Sequence, residues 1–176
     1  MTLALLAAAG CGPSPAGSAT GEIAADASQV TYQLKLKITE EGVLKADLMA
    51  DTAVTPVGET RTQLQGVKLT FFNPGQAPGK LTSKTGEYDQ ASGLMIARGD
   101  VVLLTPGEKG MRTIKSEELH WDQKGDRVWS EKETSIEENG QTLITQGFTS
   151  NSRFTQVSGN NAKTGAVQVG EGGIRF

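Results

Sequence analysis

A short fragment of this chain occurs twice, and that recurrence limits what the chain can fold into. Ser-Lys-Thr-Gly-Glu-Tyr-Asp-Gln runs from Ser83 to Gln90, and Ser-Glu-Glu-Leu-His-Trp-Asp-Gln from Ser116 to Gln123. Tyr88 and Trp121, Asp89 and Asp122, and Gln90 and Gln123 lie 33 positions apart, an interval at which one supersecondary unit stacks on a copy of itself. Each copy continues alike. A turn follows (Ala91-Ser92-Gly93, then Lys124-Gly125-Asp126), then a strand-like run, then a glycine turn at Pro106–Gly110 or Glu137–Gly140. Two strands and two turns fill such a unit and leave no room for a helix.

Alternation of apolar and polar residues points the same way. Val30, Tyr32, Leu34, Leu36 and Ile38 fall on one face of an extended run, and Thr31, Gln33, Lys35, Lys37 and Thr39 on the other, the period of a strand with one wet face. Glu40-Glu41-Gly42 turns the chain, and Leu44, Ala46, Leu48 and Ala50 repeat the pattern on the way back. Residues 52–60 read as a loop, and Val67, Leu69 and Phe71 form a third strand stopped by Asn73-Pro74-Gly75. Met95, Ala97, Gly99, Val101 and Leu103 share a face. Their counterparts one period later are Val128, Ser130, Lys132, Thr134 and Ile136. Gly99 falls mid-strand, where glycine marks a bulge or bend. Leu143 to Phe148 is a further strand, and Phe154 and Val157 continue the pattern before a glycine-rich tail with at most one short strand near Ala166 to Val169. About nine short strands result, with no helix beyond the N-terminal segment. Strands joined in succession by tight turns pair antiparallel, as a meander.

Composition agrees. The chain has 176 residues, 36% hydrophobic, with 22 glycines, enough for one domain that buries about two thirds of the surface its unfolded form exposes. A net charge of -3 with no cluster of Lys and Arg argues against nucleic acid as a partner. At the N-terminus, Leu3 to Gly10 is an apolar run too short to cross a bilayer, ending in small residues before Cys11, the only cysteine. This resembles a bacterial lipobox, in which the signal peptide is cut before a cysteine that then carries acyl chains. Only Met1 and Thr2 precede the apolar run, without a basic flank, which is the pattern of a start that is truncated or assigned too far downstream. The expected division is a lipoprotein signal peptide at 1–10, a flexible tether at 11–28, a β domain at 29–158 and a glycine-rich tail at 159–176.

Catalytic constellations are missing from the pattern. His120 is the only histidine, so a site built from several imidazoles is impossible. The strand phase sets His120 and Asp122 on the wet face beside Glu117 and Glu118. Glu131-Lys132-Glu133 and Glu137-Glu138 read as a solvated face and turn. No catalytic, metal or cofactor residue is expected.

Several segments taken in order resemble the LptC-type periplasmic lipopolysaccharide-transport proteins of bacteria. They are Leu81-Thr82-Ser83, Tyr88-Asp89, Gly93-Leu94-Met95, Arg98-Gly99-Asp100-Val101-Val102, Leu119-His120-Trp121-Asp122, Val128-Trp129-Ser130 and Gly147-Phe148. The resemblance spans roughly residues 30–157. It implies an all-β fold, a twisted antiparallel β-jelly roll open along one side like a taco, whose interior holds the acyl chains of lipopolysaccharide. It also implies partners: an inner-membrane ABC transporter of the LptBFG type that delivers the lipid and an LptA-like periplasmic bridge that receives it. Candidate lipid-lining residues are Leu36, Leu69, Phe71, Tyr88, Met95, Val101, Leu103, Trp121, Val128, Ile136, Leu143 and Phe148. Cys11 is the candidate anchor, where the family usually carries a membrane-spanning helix; which membrane it enters is open. Two other readings compete: a structural or adhesive β-repeat lipoprotein without lipid cargo, and a carbohydrate-active enzyme, for which no carboxylate pair stands out.

Overall fold

Eight long strands account for most of the molecule: β1 (Gln29–Glu40), β2 (Val43–Thr55), β3 (Arg61–Phe71), β4 (Gly79–Asp89), β5 (Leu94–Gly107), β6 (Gly110–Asp122), β7 (Arg127–Glu138) and β8 (Gln141–Ser150). Two three-residue strands follow, β9 (Val157–Gly159) and β10 (Lys163–Gly165). The computed structural model describes residues 28–108 and 110–159 and the backbone of 163–165. The expected signal segment, Cys11, most of the expected tether and the expected strand near Ala166 to Val169 lie outside the described residues. Strand order in the single antiparallel sheet is chain order from β1 to β8, with β9 and β10 both paired to β8. The expected open, all-β antiparallel sheet is what forms, with strands of 10 to 14 residues that are longer than expected. The predicted loop at 52–60 shrinks to 56–60, because β2 runs on to Thr55 and β3 begins at Arg61.

The 33-residue period extends further than the sequence reveals. Hairpins open at residues 29, 61, 94 and 127, so four units follow one another at steps of 32 or 33. The repeated Asp has a physical reason in the turns. Asp89 Oδ1 accepts from the amide of Ala91 at 2.9 Å, and Asp122 Oδ1 accepts from the amides of Lys124 and Gly125 at 3.0 Å each, so each side chain closes its own turn. The turns then stack, with Lys124 Nζ donating to the Ala91 carbonyl, one period away, at 2.8 Å.

Every strand breaks its alternation once, near its middle. The inward phase jumps from Thr31 to Leu34, Ala50 to Ala53, Leu64 to Val67, Ser83 to Gly86, Ala97 to Val101, Ser116 to Leu119, Ser130 to Thr134 and Thr145 to Phe148. These breaks lie side by side in the register, so they form one crease across the sheet. Left-handed backbone sits in the crease at Gln33 (φ 51°), Gly66 (φ 64°) and Gly99 (φ 74°), again at the 33-residue period, and at Gly147 (φ 96°). The bulge expected at Gly99 is present: Arg98 faces Glu118 and Val101 faces Ser116, so one extra residue is inserted on β5. Two expectations fail at the crease for the same reason. Val30 and Tyr32 are 47% and 75% exposed, because the turn of phase at Gln33 sends them outward. Lys132 is exposed rather than inward, since β7 spends residues 131–133 on its bulge.

Bending every strand at one line folds the sheet on itself, and side chains from strands that share no ladder then meet. Phe71 on β3 packs edge-on against Trp121 on β6, ring centroids 5.1 Å apart. Gln123 Nε2 donates to the Thr39 carbonyl at 3.4 Å. Between the layers lies one apolar cluster, from Ile38 and Leu48 to Phe148 and Phe154, with Leu34, Leu36, Leu143 and Val157 at its margins. Small residues, among them Ala50, Ala53, Ser83, Gly86 and Ala97, take the inner corner. A Cβ on Gly86 would lie 2.9 Å from the Ile96 carbonyl oxygen, so the corner admits nothing larger. Past β5 the corner turns polar. Ser116 Oγ and Ser130 Oγ lie 3.0 Å apart, and Thr145 Oγ1 donates to the Thr134 carbonyl at 3.3 Å, which satisfies buried hydroxyls that would otherwise be costly.

Candidate functional site: the interior of the folded sheet

The inward residues singled out in the sequence all point between the layers. Leu69, Phe71, Met95, Val101, Leu103, Trp121, Val128 and Phe148 are at most 2% exposed, Tyr88 and Ile136 are buried, and Leu36 and Leu143 are half-buried. The fold gathers them into one interior but not into one open groove. Leu36 and Tyr88 reach a cavity of about 180 Å³ at the β1 flank, whose apolar wall also includes Leu34, Leu48, Ala53 and Leu64. Phe71 and Trp121 border a second cavity of about 430 Å³, where the ends of β1–β3 face the β6–β7 turn.

At the β1 flank the interior is close to solvent. β1 pairs with β2 alone, so one edge of a 12-residue strand is unpaired among the described residues. Tyr88 stands in the cavity wall. Burial, followed by the charge of neighbouring Asp89, raises its phenol above the ordinary value and keeps it a neutral donor.

At the β8 flank the interior is filled. After β8 the chain turns back, and Phe154 inserts between the layers, 3% exposed, with its ring 5.2 Å from that of Phe71 and nearly perpendicular. Gly79 makes the space, because a Cβ there would come within 2.8 Å of the Phe154 ring. Phe154 belongs to the loop between β8 and β9, where the sequence pattern suggests a continuing strand. Its backbone is left-handed (φ 58°), a conformation that no side-chain alternation signals. Trp121 completes the aromatic row, its indole N–H buried with no hydrogen-bond partner among the described residues.

The outer face carries a charged ladder across β4 to β7. Arg98 reaches Glu87 and Glu118 at 2.7 Å each, Glu118 accepts from His120 at 2.8 Å, and His120 stacks on Trp129 at 4.9 Å with Arg127 above the same indole. The hydrogen bond to Glu118 raises the Arg98 pKa above its ordinary value. Burial opposes ionisation of Glu118, but the hydrogen bonds from His120 and Arg98 outweigh it and hold its pKa below the usual carboxylate range. His120 lies on the outer face as expected, partly covered by these neighbours. Among the described residues no group of three or more potential ligands could hold a metal ion, and no helix is long and apolar enough to cross a membrane.

A family model described as "Lipopolysaccharide-assembly, LptC-related" matches residues 18–158. Among solved structures, the crystal structure of LptH matches with a TM-score of 0.50 at 15% identity, covering 65% of this chain and 80% of that one. LptH is described as the LptA-homologous periplasmic component of the conserved lipopolysaccharide transport device of Pseudomonas aeruginosa; at that identity the likeness is one of fold. No curated protein matches the chain.

Proposed function

Because the chain belongs to the LptC-related lipopolysaccharide-assembly family, we propose that it is a periplasmic component of lipopolysaccharide transport that carries acyl chains inside its folded sheet. The observation that carries this reading is the apolar interior, continuous from Leu34 and Leu36 to Leu143 and Val157 within one sheet bent along a crease. Acyl chains need no charged clamp. Each methylene taken from water stabilises by about 0.8 kcal/mol, so a chain of net charge -3 can still hold an anionic lipid. The β1 flank, with its cavity and unpaired edge, is the place where a chain end enters and where a strand of a similar sheet adds by backbone pairing. In this reading the lipid comes from an inner-membrane ABC transporter of the LptBFG type and passes to an LptA-like bridge, while an acylated Cys11 keeps the domain at a membrane. The protein moves cargo and performs no catalysis.

Photo-crosslinking amino acids at Leu36, Val101, Leu103 and Ile136 should capture lipopolysaccharide in cells. Labelling confined to the outward Lys35 and Lys37 would sink the reading. A closed structural core predicts instead that lipid A leaves the melting temperature unchanged. A ligand at a hundred times its dissociation constant adds about 2.7 kcal/mol, worth roughly 5–10 °C at this size.

A further inference from the structure

We propose that Phe154 occupies the seat of an acyl chain, as a stopper that cargo must displace; this rests on the lipid-carrying reading above. The segment that bears it divides what would otherwise be one trough. On one side is the cavity of about 430 Å³ bordered by Phe71 and Trp121, and on the other a cavity of about 390 Å³ bordered by Pro106, Gly107, Arg112 and Val157. Arg153 lines both, and Phe154 itself forms part of the second wall. With the segment swung outward, the two spaces and the volume of the phenyl ring join into one passage, apolar at Phe71, Trp121, Pro106 and Val157 and flanked by the cationic Lys45, Lys124, Arg112 and Arg153. It would run beneath the ends of β3 to β6, long enough for a linear hydrocarbon.

The segment is built to be moved. Phe154 holds a left-handed backbone, φ 58°, which bulky residues seldom adopt. A swing outward therefore relieves strain as it gives up packing. Few polar ties oppose it: Asn73 Nδ2 donates to the Ser152 carbonyl at 3.2 Å, and Ser152 is further held by its amide and hydroxyl on Asp126. Asn151 and Thr155 bond to each other, and the Asn151 carbonyl accepts from the Phe154 amide and the Ser150 hydroxyl, so these bonds stay within residues 150–155. The ring's own neighbours are apolar, Phe71 at 5.2 Å and the bare backbone of Gly79. A methylene chain in its place would meet the same surfaces. Phe154 thus keeps the trough from collapsing or taking up stray apolar matter when empty, and yields when a better-fitting chain arrives.

The test is equilibrium binding of lipid A to the full chain carrying Cys11→Ser, with and without Phe154→Ala. Emptying the seat removes the competing occupant, so the variant should bind at least about fivefold more tightly, as expected when the competent state is no longer a minority. Equal or weaker binding by a folded variant overturns the stopper. Failure of the parent chain to bind lipid A at all overturns the lipid-carrying reading and the stopper with it, so the two failures are told apart. Should Phe154→Ala not fold, the paired change Asn73→Cys and Ser152→Cys in the same background pins the segment shut. Its oxidised form should bind lipid A at least about fivefold more weakly and recover on reduction; oxidised and reduced forms of equal affinity would reject the proposal.

Discussion

The two flanks of the folded sheet are built from the same repeat but finish differently. At the β1 flank the last strand has an edge that is unpaired among the described residues, the half-buried Leu34 and Leu36 border a cavity of about 180 Å³, and the ring of Tyr88 stands in the cavity wall without filling it. At the β8 flank, β9 and β10 pair with the edge at Ser150–Phe148 and Ile144–Thr142, and Phe154 fills the space between the layers. The difference teaches that a meander can be open or closed at either side without a change in its ladders. What closes a side is the chain beyond the last strand. In a carrier, that asymmetry gives the cargo one flank that is already accessible and one that must be opened.

Core truncations should expose the contrast most strongly. Phe71→Ala removes the ring that joins Trp121 and Phe154, all three buried, and should cost about 3–5 kcal/mol in a urea denaturation. Leu36→Ala, at the half-exposed flank, should cost no more than about 2 kcal/mol, because part of that side chain already faces water. Equal losses would mean that the two flanks are equally well packed, and the distinction between them would be gone.

Next in size comes the crease, where the flanks should respond with opposite signs. At β8 the bend is made by Gly147, and a Cβ there would lie 2.6 Å from the backbone oxygen of Ser130, at φ 96°. Gly147→Ala should therefore destabilise by about 2–3 kcal/mol. At β1 the bend is made by a residue that has a Cβ, Gln33 at φ 51°. Gln33→Gly should stabilise by about 0.5–1 kcal/mol, since the strain relieved exceeds the entropy that glycine loses on folding. Thermal unfolding of the two variants reads both signs at once; a loss of stability in Gln33→Gly would show that Gln33 is not strained.

Fold class and strand faces were legible because alternation and turn chemistry are local. Val67, Leu69, Phe71, Met95 and Trp121 are inward as their phase requires, and Asp89 and Asp122 close turns as Asp does. The crease was less legible, because its repeat is one of backbone conformation and not of side-chain identity: the left-handed positions 33, 66 and 99 hold Gln, Gly and Gly, and Lys132, one period on, lies in the crease without that backbone. That is why two copies were visible where the structure has four hairpins, and why Tyr32 and Lys132 fall on the other face. Within the site, Leu36 and Tyr88 were found from their phase. Phe154 reads in the sequence as an apolar residue that continues a strand, since nothing local distinguishes a ring that continues a ladder from one that leaves it to plug the interior. Only the absence of a Cβ at Gly79, 75 positions earlier in the chain, makes room for it, and a contact at that separation leaves no mark in a single sequence.

The smallest effect belongs to neither flank. Glu118 sits on the outer face of the central strands, and its folded pKa is depressed by His120 and Arg98 against the opposing effect of burial. A depressed carboxylate contributes stability that is fully present above its unfolded value of about 4.3 and lost as pH falls through the lower folded value. Wild type should therefore exceed Glu118→Gln in stability at pH 6, with the gap closing as pH falls from about 5 toward 3. The side chain of Arg98 is 40% exposed, so solvent screening limits the gap to less than about 1 kcal/mol. The ladder is remote from both openings, so the same substitution should leave lipid A affinity unchanged at pH 7. A matching loss of affinity would mean that the outer face senses cargo, and that the contrast between the flanks is transmitted through the central strands rather than set locally at each edge.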